Sequence, residues 1–366
     1  MSGSSDTATR RDARAPLIIG HRGASGYVPE HTLTSYFLAI QQGADFVEPD
    51  LVSTRDGVLV ARHENEIGGT TDVAAHPQFA LRRSTREVDG VSITGWFTED
   101  FTLAELKCLR ARERIAQLRP ANARFDGQFE IPTLDEILDL VAAANRLRAS
   151  AAQARGQPAP AAIGVYPETK HPTYFARLGL ALEGPLLQGL HRHGYEGRSA
   201  PVFIQSFETG NLRRLRALTQ MPLVQLVSAA GAPFDCVAAG EACDYAAMMT
   251  PAGLAQLAGY ADAIGVEKTL VIPRTAEGEL AAPTALVAQA HAAGLGVHAW
   301  TFRAENHFLP PVYQSNADPA AHGDLAAEIG AYLAVGIDGL FCDFPALART
   351  AMERFAASAV KPASGP

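Results

Sequence analysis

Short apolar runs alternate with helix-length amphipathic segments along most of this 366-residue chain. Residues 17–20 (LIIG) begin the series, a helix-like segment follows at 32–43, and the alternation continues to residues 336–342 (GIDGLFC). Strands that read as nearly continuous apolar runs are buried on both faces, as in parallel βαβ architecture. About eight such runs favour an α/β fold of the (β/α)₈ type, the TIM barrel.

An open, doubly wound sheet is the competing α/β fold. Such sheets bind dinucleotides through a GxGxxG turn that follows the first strand. In this chain the first apolar run leads into GHRGAS at residues 20–25, which lacks that spacing. The barrel is therefore favoured, with the open sheet as the alternative.

One stretch interrupts the alternation. Residues from about 64 to 130 are rich in Thr, Arg, Asp and Gly and contain no clear buried strand, so they predict a small subdomain inserted after the second strand region. We expect the barrel domain to cover residues 15–358. A disordered segment (1–14) and a flexible tail (359–366) would flank it, because both ends have too few apolar residues to pack.

Composition limits the partners of the chain. It has 31 Lys and Arg against 39 Asp and Glu, a net charge of −8 and no dense basic run, so nucleic acid is not an expected partner. No apolar stretch reaches the roughly 20 residues that span a bilayer, and residues 1–15 lack the apolar core of a signal peptide. The four cysteines lack CxxC spacing and do not imply a disulfide framework. The sequence does not indicate the oligomeric state. The compartment also stays open, because a leader could have been removed.

Acidic residues close two of the apolar runs. In a parallel barrel the active site forms at the carboxyl ends of the strands, so such residues are candidates for it. Glu48 and Asp50 are two apart on a strand and project from one face. With Glu168 from a later strand they offer three hard oxygen ligands to one divalent cation, Mg²⁺ or Ca²⁺. Solvated acids at strand ends are the alternative interpretation.

Two histidines also close apolar runs. His21 follows LIIG and His63 follows VLVAR. A neutral imidazole accepts a proton and its protonated counterpart donates one, so the pair suits hydrolysis of a phosphodiester. Taken alone, each histidine more often has a structural or surface role.

Five further residues near strand ends are candidates for substrate binding. Arg22 and Lys170 would contact a phosphate, or would only neutralise the neighbouring carboxylates. Gln205 closes a later run. Phe207 and Trp300 would wall the pocket against the apolar part of a substrate, or would serve in packing.

The strings GHRGASGYVPEHT, EPDLVSTRDGVLVARHE and PETKHP resemble the glycerophosphodiester phosphodiesterase family. The likeness extends from about residue 17 to about residue 345, with the motifs in the family's order. It implies a TIM barrel with one divalent metal ion. The implied reaction releases an alcohol and sn-glycerol 3-phosphate from a small-molecule glycerophosphodiester such as glycerophosphocholine or glycerophosphoethanolamine. The resemblance also implies metal ligands at Glu48, Asp50 and Glu168, a catalytic pair at His21 and His63, and phosphate contacts at Arg22 and Lys170.

His31 departs from the family pattern, because many members have PENT where this chain has PEHT. The resemblance does not decide which histidine is the acid, nor whether water or the glycerol 2-hydroxyl is the first nucleophile. Two other functions stay open. One is phospholipase D-like cleavage of lysophospholipid or sphingomyelin, and the other is a barrel that binds phosphodiesters without turning them over.

Overall fold

Thirteen β-strands and twelve α-helices form the fold of residues 15–360, the part of the chain that the computed structural model describes. The strands are β1 (Leu17–His21), β2 (Phe46–Glu48), β3 (Asp50–Ser53), β4 (Leu59–Ala61), β5 (Ser84–Val88), β6 (Val91–Gly95), β7 (Gly164–Val165), β8 (Glu168–Thr169), β9 (Ile204–Ser206), β10 (Leu223–Val227), β11 (Ala263–Glu267), β12 (Gly296–Phe302) and β13 (Gly339–Cys342). The helices are α1 (Leu33–Gln41), α2 (Leu103–Leu106), α3 (Leu134–Ala154), α4 (Pro172–Arg177), α5 (Glu183–Arg192), α6 (Thr209–Leu218), α7 (Phe234–Ala239), α8 (Tyr245–Met248), α9 (Pro251–Leu257), α10 (Leu286–Ala292), α11 (Leu325–Val335) and α12 (Pro345–Val360).

The parallel strands close into a barrel. Pro49 divides the second barrel strand into β2 and β3, and Pro167 lies in the gap that divides the third into β7 and β8, because proline has no N–H for the ladder. β2 pairs with β7 and β3 with β8, and β8 to β13 then pair in chain order. β1 joins β13 to β2. This closed ladder of eight parallel strands confirms the predicted TIM barrel and excludes the open sheet.

The apolar run before His63 is not a barrel strand, contrary to the expectation from its sequence. β4 pairs antiparallel with β3, placing Leu51 opposite Ala61, and His63 lies two residues beyond its end. Only residues 54–58 separate the two strands. That length allows a hairpin, whereas a parallel neighbour needs a crossover of a dozen or more residues.

The excursion between β4 and α3 contains a second, two-stranded antiparallel sheet. β5 and β6 pair from Ser84 and Gly95 to Val88 and Val91. Asp89 and Gly90 connect them with positive φ angles of 48° and 79°, the backbone that two-residue hairpin turns favour. The sheet confirms the predicted inserted subdomain.

Apolar side chains fill the fold in two separate layers. A small cluster inside the barrel comprises Ile19, Phe46, Tyr166, Val224, Ala263 and Phe341. A much larger cluster lies outside the strands and joins them to the surrounding helices. The strands are therefore buried on both faces, which is why they read as continuous apolar runs.

Capping side chains fix where two of these helices begin. Thr32 accepts from the backbone N–H of Ser35 and starts α1, close to the predicted helix at 32–43. Thr133 and Glu136 form the same reciprocal capping box at the start of α3.

Apolar residues of the excursion, among them Val73, Phe79 and Phe101, belong to the same core cluster as the outer barrel residues. We therefore propose that residues 15–358 fold as one domain. The predicted segment 1–14 lies outside the described residues, and so does the predicted tail except for 359–360, which end α12. Within the described residues, no helix combines the length and apolarity needed to cross a membrane.

Candidate active site

Several barrel strands carry an apolar side chain inside the barrel and a polar one two residues later. Because side chains alternate along a strand, residues two apart share a face. The polar side chains therefore lie one layer above the apolar cluster, at the carboxyl ends of the strands. Such pairs are Ile19 and His21, Phe46 and Glu48, Tyr166 and Glu168, and Phe341 and Asp343.

A cavity of about 270 Å³ opens at this end of the barrel. Nine of the ten residues singled out from the sequence line it: His21, Arg22, Glu48, Asp50, His63, Glu168, Gln205, Phe207 and Trp300. Lys170, the tenth, lines an adjoining cavity of about 380 Å³. Glu168 and Phe207 line both cavities, so the two form neighbouring compartments of one site.

Glu48, Asp50 and Glu168 converge as the sequence predicts. All three are buried, and one carboxylate oxygen from each lies within 4.8 Å of the other two. Glu48 accepts from the backbone N–H of Arg22 (2.7 Å) and from the Gln205 amide (3.0 Å). The cluster can therefore bind one metal ion through oxygen atoms.

The electrostatics of this cluster are those of a cation site. Burial and the nearby carboxylates of Asp50 and Glu168 raise the pKa of Glu48. Burial also raises the pKa of Glu168 to about 8, against the pull of Lys170. Asp50 Oδ1 has no hydrogen-bond partner within the described part of the chain. A buried, unsatisfied oxygen beside two crowded carboxyl groups fits a hard divalent cation such as Mg²⁺ or Ca²⁺.

His21 is held by a buried network of charges. Its Nδ1 lies 2.6 Å from Asp343 Oδ1, and Asp343 Oδ2 accepts from Arg119 (2.5 Å) and Arg303 (3.0 Å). Arg119 comes from the inserted segment and also binds Glu305 at 2.5 Å. Burial and the charge of Arg22 lower the pKa of His21 to about 4, against the pull of Asp343. The imidazole is thus neutral near pH 7, with Nε2 left for the cavity.

His63 reaches the same cavity from the loop after β4. Its Nδ1 lies 2.8 Å from Oε1 of the adjacent Glu64. Burial, with the positive charges of Arg22 and Lys170, lowers the pKa of His63 to about 3. Both histidines are therefore neutral imidazoles, each with a carboxylate on Nδ1.

The two cations singled out from the sequence already have anionic partners. Arg22 donates to Glu30 (2.9 Å) and lies 3.4 Å from Asp50. Lys170 lies 2.9 Å from Glu168 and 5.7 Å from the centre of the Phe207 ring. Both cations therefore lie beside buried carboxylates in this structure.

Phe207 and Trp300 form an aromatic wall. Their rings meet edge to face at 6.0 Å, and Phe207 meets Tyr245 in the same way at 6.2 Å. The Trp300 indole donates to the backbone oxygen of Gly265 at 3.0 Å. These contacts hold both rings in fixed orientations along the cavity.

Sequence reasoning missed several residues of the site. Asp343 closes the last apolar run, so the rule that selected the other acids would also have selected it. His31, whose role the resemblance left in doubt, is buried behind the cluster and lies 2.9 Å from Asp50 Oδ2 and 2.7 Å from the Tyr36 hydroxyl. Arg119 carried no local signal, because its partners are distant in the sequence.

Comparison with known proteins agrees with this geometry. A family model described as glycerophosphoryl diester phosphodiesterase matches residues 21–347. A glycerophosphodiester phosphodiesterase of Arabidopsis thaliana is 35% identical over 343 residues, covering 90% of this chain and 84% of that protein. One from Haemophilus influenzae is 28% identical, covering 94% and 92% respectively.

Solved structures share the fold. A glycerophosphoryl diester phosphodiesterase from Silicibacter pomeroyi has a TM-score of 0.63 at 21% identity, covering 93% of this chain and 94% of that one. A phosphodiesterase from Oleispira antarctica, solved with its product sn-glycerol-3-phosphate, has a TM-score of 0.59 at 21% identity, covering 93% and 97%.

Proposed function

This chain belongs to the glycerophosphoryl diester phosphodiesterase family and is a phosphoric diester hydrolase, and from that premise we propose that it converts glycerophosphodiesters to sn-glycerol 3-phosphate and an alcohol. Glu48, Asp50 and Glu168 would hold one divalent cation, and His21 and His63 would act as the acid–base pair. The observation that carries the proposal is that this carboxylate cluster and both imidazoles line one cavity.

A cation bound by the three carboxylates would supply positive charge to the phosphoryl oxygens of the substrate. The choice of Ca²⁺ or Mg²⁺ follows from ligands that are all carboxylate oxygens. Arg22 would add charge to the same side of the cavity, and Lys170 would contact the phosphate from the adjoining cavity.

The two histidines would divide the proton transfers. One Nε2 takes the proton of the attacking hydroxyl as its oxygen bonds to phosphorus. The other histidine donates a proton to the alcohol oxygen as the bond from phosphorus to that oxygen breaks. Because burial keeps both imidazoles neutral near pH 7, the donor must first gain a proton when the anionic substrate enters. Water is the attacking hydroxyl in direct hydrolysis, whereas in the cyclic route the glycerol 2-hydroxyl attacks first and water then opens the cyclic phosphate.

The adjoining cavity is lined by the cations Lys170 and His171, but it also offers aromatic rings and a carboxyl group that would hold an alcohol with a positive charge. Phe207, Phe234 and Tyr245 contribute aromatic rings to its wall, and Glu208 contributes a carboxyl group, whereas the Asp89 carboxylate is already bound to His171. Aromatic faces with nearby carboxylates attract alkylammonium groups. We therefore propose glycerophosphocholine and glycerophosphoethanolamine as preferred substrates.

A matrix of metals and substrates tests the proposed function. Protein stripped with EDTA is supplied with Mg²⁺, Ca²⁺ or Mn²⁺ and with glycerophosphocholine or lysophosphatidylcholine. We expect turnover of glycerophosphocholine only with a divalent ion, and a loss of at least 100-fold in kcat in His21→Ala and in His63→Ala. Full activity without a divalent ion would refute the metal site. Turnover of only the lysophospholipid would support the phospholipase D-like alternative, and tight binding without turnover would support a non-catalytic barrel.

A further inference from the structure

His171 has no part in the reaction proposed above, yet it connects the catalytic cavity to the inserted subdomain. It lies two residues after the end of β8 and lines the adjoining cavity with Lys170. Its Nε2 lies 2.8 Å from Glu64 Oε2, and the other Glu64 oxygen lies 2.8 Å from His63 Nδ1. Its Nδ1 lies 2.6 Å from Asp89 Oδ2, at the tip of the β5–β6 hairpin. Four side chains thus form one continuous row, in the order His63, Glu64, His171 and Asp89.

The geometry fixes the protonation state of His171. An ionised carboxylate only accepts hydrogen bonds, so an imidazole with a carboxylate on each nitrogen must donate from both and carry a positive charge. Burial and the adjacent Lys170 oppose this charge, but the hydrogen bonds to Asp89 and Glu64 raise the pKa of His171 to about 9. His171 is therefore an imidazolium ion at pH 7.

The charge on His171 determines the state of its neighbours. With one oxygen bound to the imidazolium, Glu64 stays ionised, and its other oxygen lies 2.8 Å from His63 Nδ1. His63 is then held as the tautomer with its proton on Nδ1, which leaves Nε2 as the basic nitrogen for the cavity.

The backbone conformations of His171 and Asp89 support this interpretation. His171 has a φ of 48°, a left-handed conformation that is uncommon for a residue with a side chain. Such conformations persist where the surrounding contacts fix them, and they cluster at functional sites. Asp89 has the same φ because the two-residue turn requires it, so the rigid hairpin holds its carboxylate in place.

We propose that His171, clamped between Glu64 and Asp89, is a positioning residue for His63, so that the inserted hairpin forms part of the catalytic apparatus. This inference depends on the proposed catalytic role of His63. Neither His171 nor Asp89 lines the cavity that contains the carboxylate cluster and both catalytic histidines, so both residues act through Glu64.

Kinetics of variants in the full-length, metal-loaded enzyme test the relay. His171→Gln removes the charge, and Asp89→Asn removes the outer carboxylate while keeping a residue that the turn favours. We expect kcat for glycerophosphocholine to fall about tenfold or more in His171→Gln and less in Asp89→Asn, with KM changed less than about twofold. The double variant should match His171→Gln, because Asp89 acts only through His171.

His76→Gln is the matched control. His76 lies in the same insertion and pairs with Asp72 at 3.3 Å, so this variant should leave kcat unchanged. The proposal would be overturned if His171→Gln kept the kcat of the parent enzyme. It would also be overturned if the loss of kcat in the double variant equalled the product of the losses in the two single variants.

Nitrogen-15 NMR of histidine-labelled protein tests the same relay without turnover. We expect His171 to show two protonated ring nitrogens at pH 7, and His63 to carry its proton on Nδ1. In His171→Gln the proton on His63 should redistribute between the two nitrogens. A neutral His171 at pH 7, or an unchanged His63 in the variant, would contradict the relay. If the parent enzyme does not hydrolyse glycerophosphocholine, the proposed function fails, but these spectra still decide the relay.

Discussion

The pH dependence of stability in metal-free protein is a direct consequence of the carboxylate cluster. Glu168 has a pKa of about 8 in the folded protein against an ordinary value of 4.5. Between these values the folded protein holds a proton that the unfolded chain has released, so the free energy of unfolding falls as pH rises. The contribution of Glu168 to this slope is at most about 1.4 kcal/mol per pH unit. Protein stripped of divalent ions should therefore lose stability steadily from pH 5 to pH 8.

Binding of a divalent cation should remove this dependence. At pH 7 a carboxyl group with a pKa of 8 is about nine-tenths protonated, so Glu168 alone should release about 0.9 proton for each cation bound. A cation at 100 times its Kd adds about 2.7 kcal/mol to the free energy of unfolding. The stabilisation by the cation should increase with pH up to about 8, because the free energy needed to remove the proton from Glu168 decreases over that range.

Thermal unfolding from pH 5 to pH 8, with EDTA or with saturating Mg²⁺ or Ca²⁺, measures how the cation changes stability at each pH. Calorimetry in buffers of different ionisation enthalpy measures the number of protons released when the cation binds. Glu168→Gln should remove the proton release from this residue and weaken the metal-induced stabilisation. Glu208→Gln is the matched control. Burial raises the pKa of Glu208 to about 7, but Glu208 lies outside the cluster, so that variant should keep the metal response. Parallel stability curves with and without metal, or no proton release, would refute a cation site at these residues.

The remaining predictions concern the inserted segment and the substrate. Arg119→Met removes the cation that pairs with Glu305 and Asp343; Asp343 keeps Arg303 and His21, but Glu305 loses its ion-pair partner among the described residues. Chemical denaturation should therefore show a loss of about 3 kcal/mol, and assays a lower kcat. The exposed Arg124→Met should change neither, and equal stability of the two variants would contradict the role given to Arg119. The kcat/KM for glycerophosphocholine should exceed that for glycerophosphoglycerol, and Phe234→Leu should reduce the ratio several-fold. A ratio that Phe234→Leu leaves unchanged would count against the aromatic cavity.

The sequence by itself determined the barrel and most of the cavity lining. Strands buried on both faces read as apolar runs, and the two-residue alternation along a strand fixes which side chains share a face. That rule placed Glu48 and Asp50 together, and parallel strands brought Glu168 to the same end of the barrel. The same rule would also have selected Asp343, two residues after Phe341.

Only the tertiary structure decided the strand direction before His63 and the partners of the two catalytic histidines. An apolar run does not record its direction, and the five-residue connection makes β4 antiparallel to β3. Asp343 lies 322 positions from His21, and His171 lies 107 positions from Glu64 and 82 from Asp89. Residue spacing predicts side-chain direction only within one element. Contacts between distant elements depend on how the insertion packs against the barrel, and that packing fixes the hydrogen bonds that hold His21 and His63.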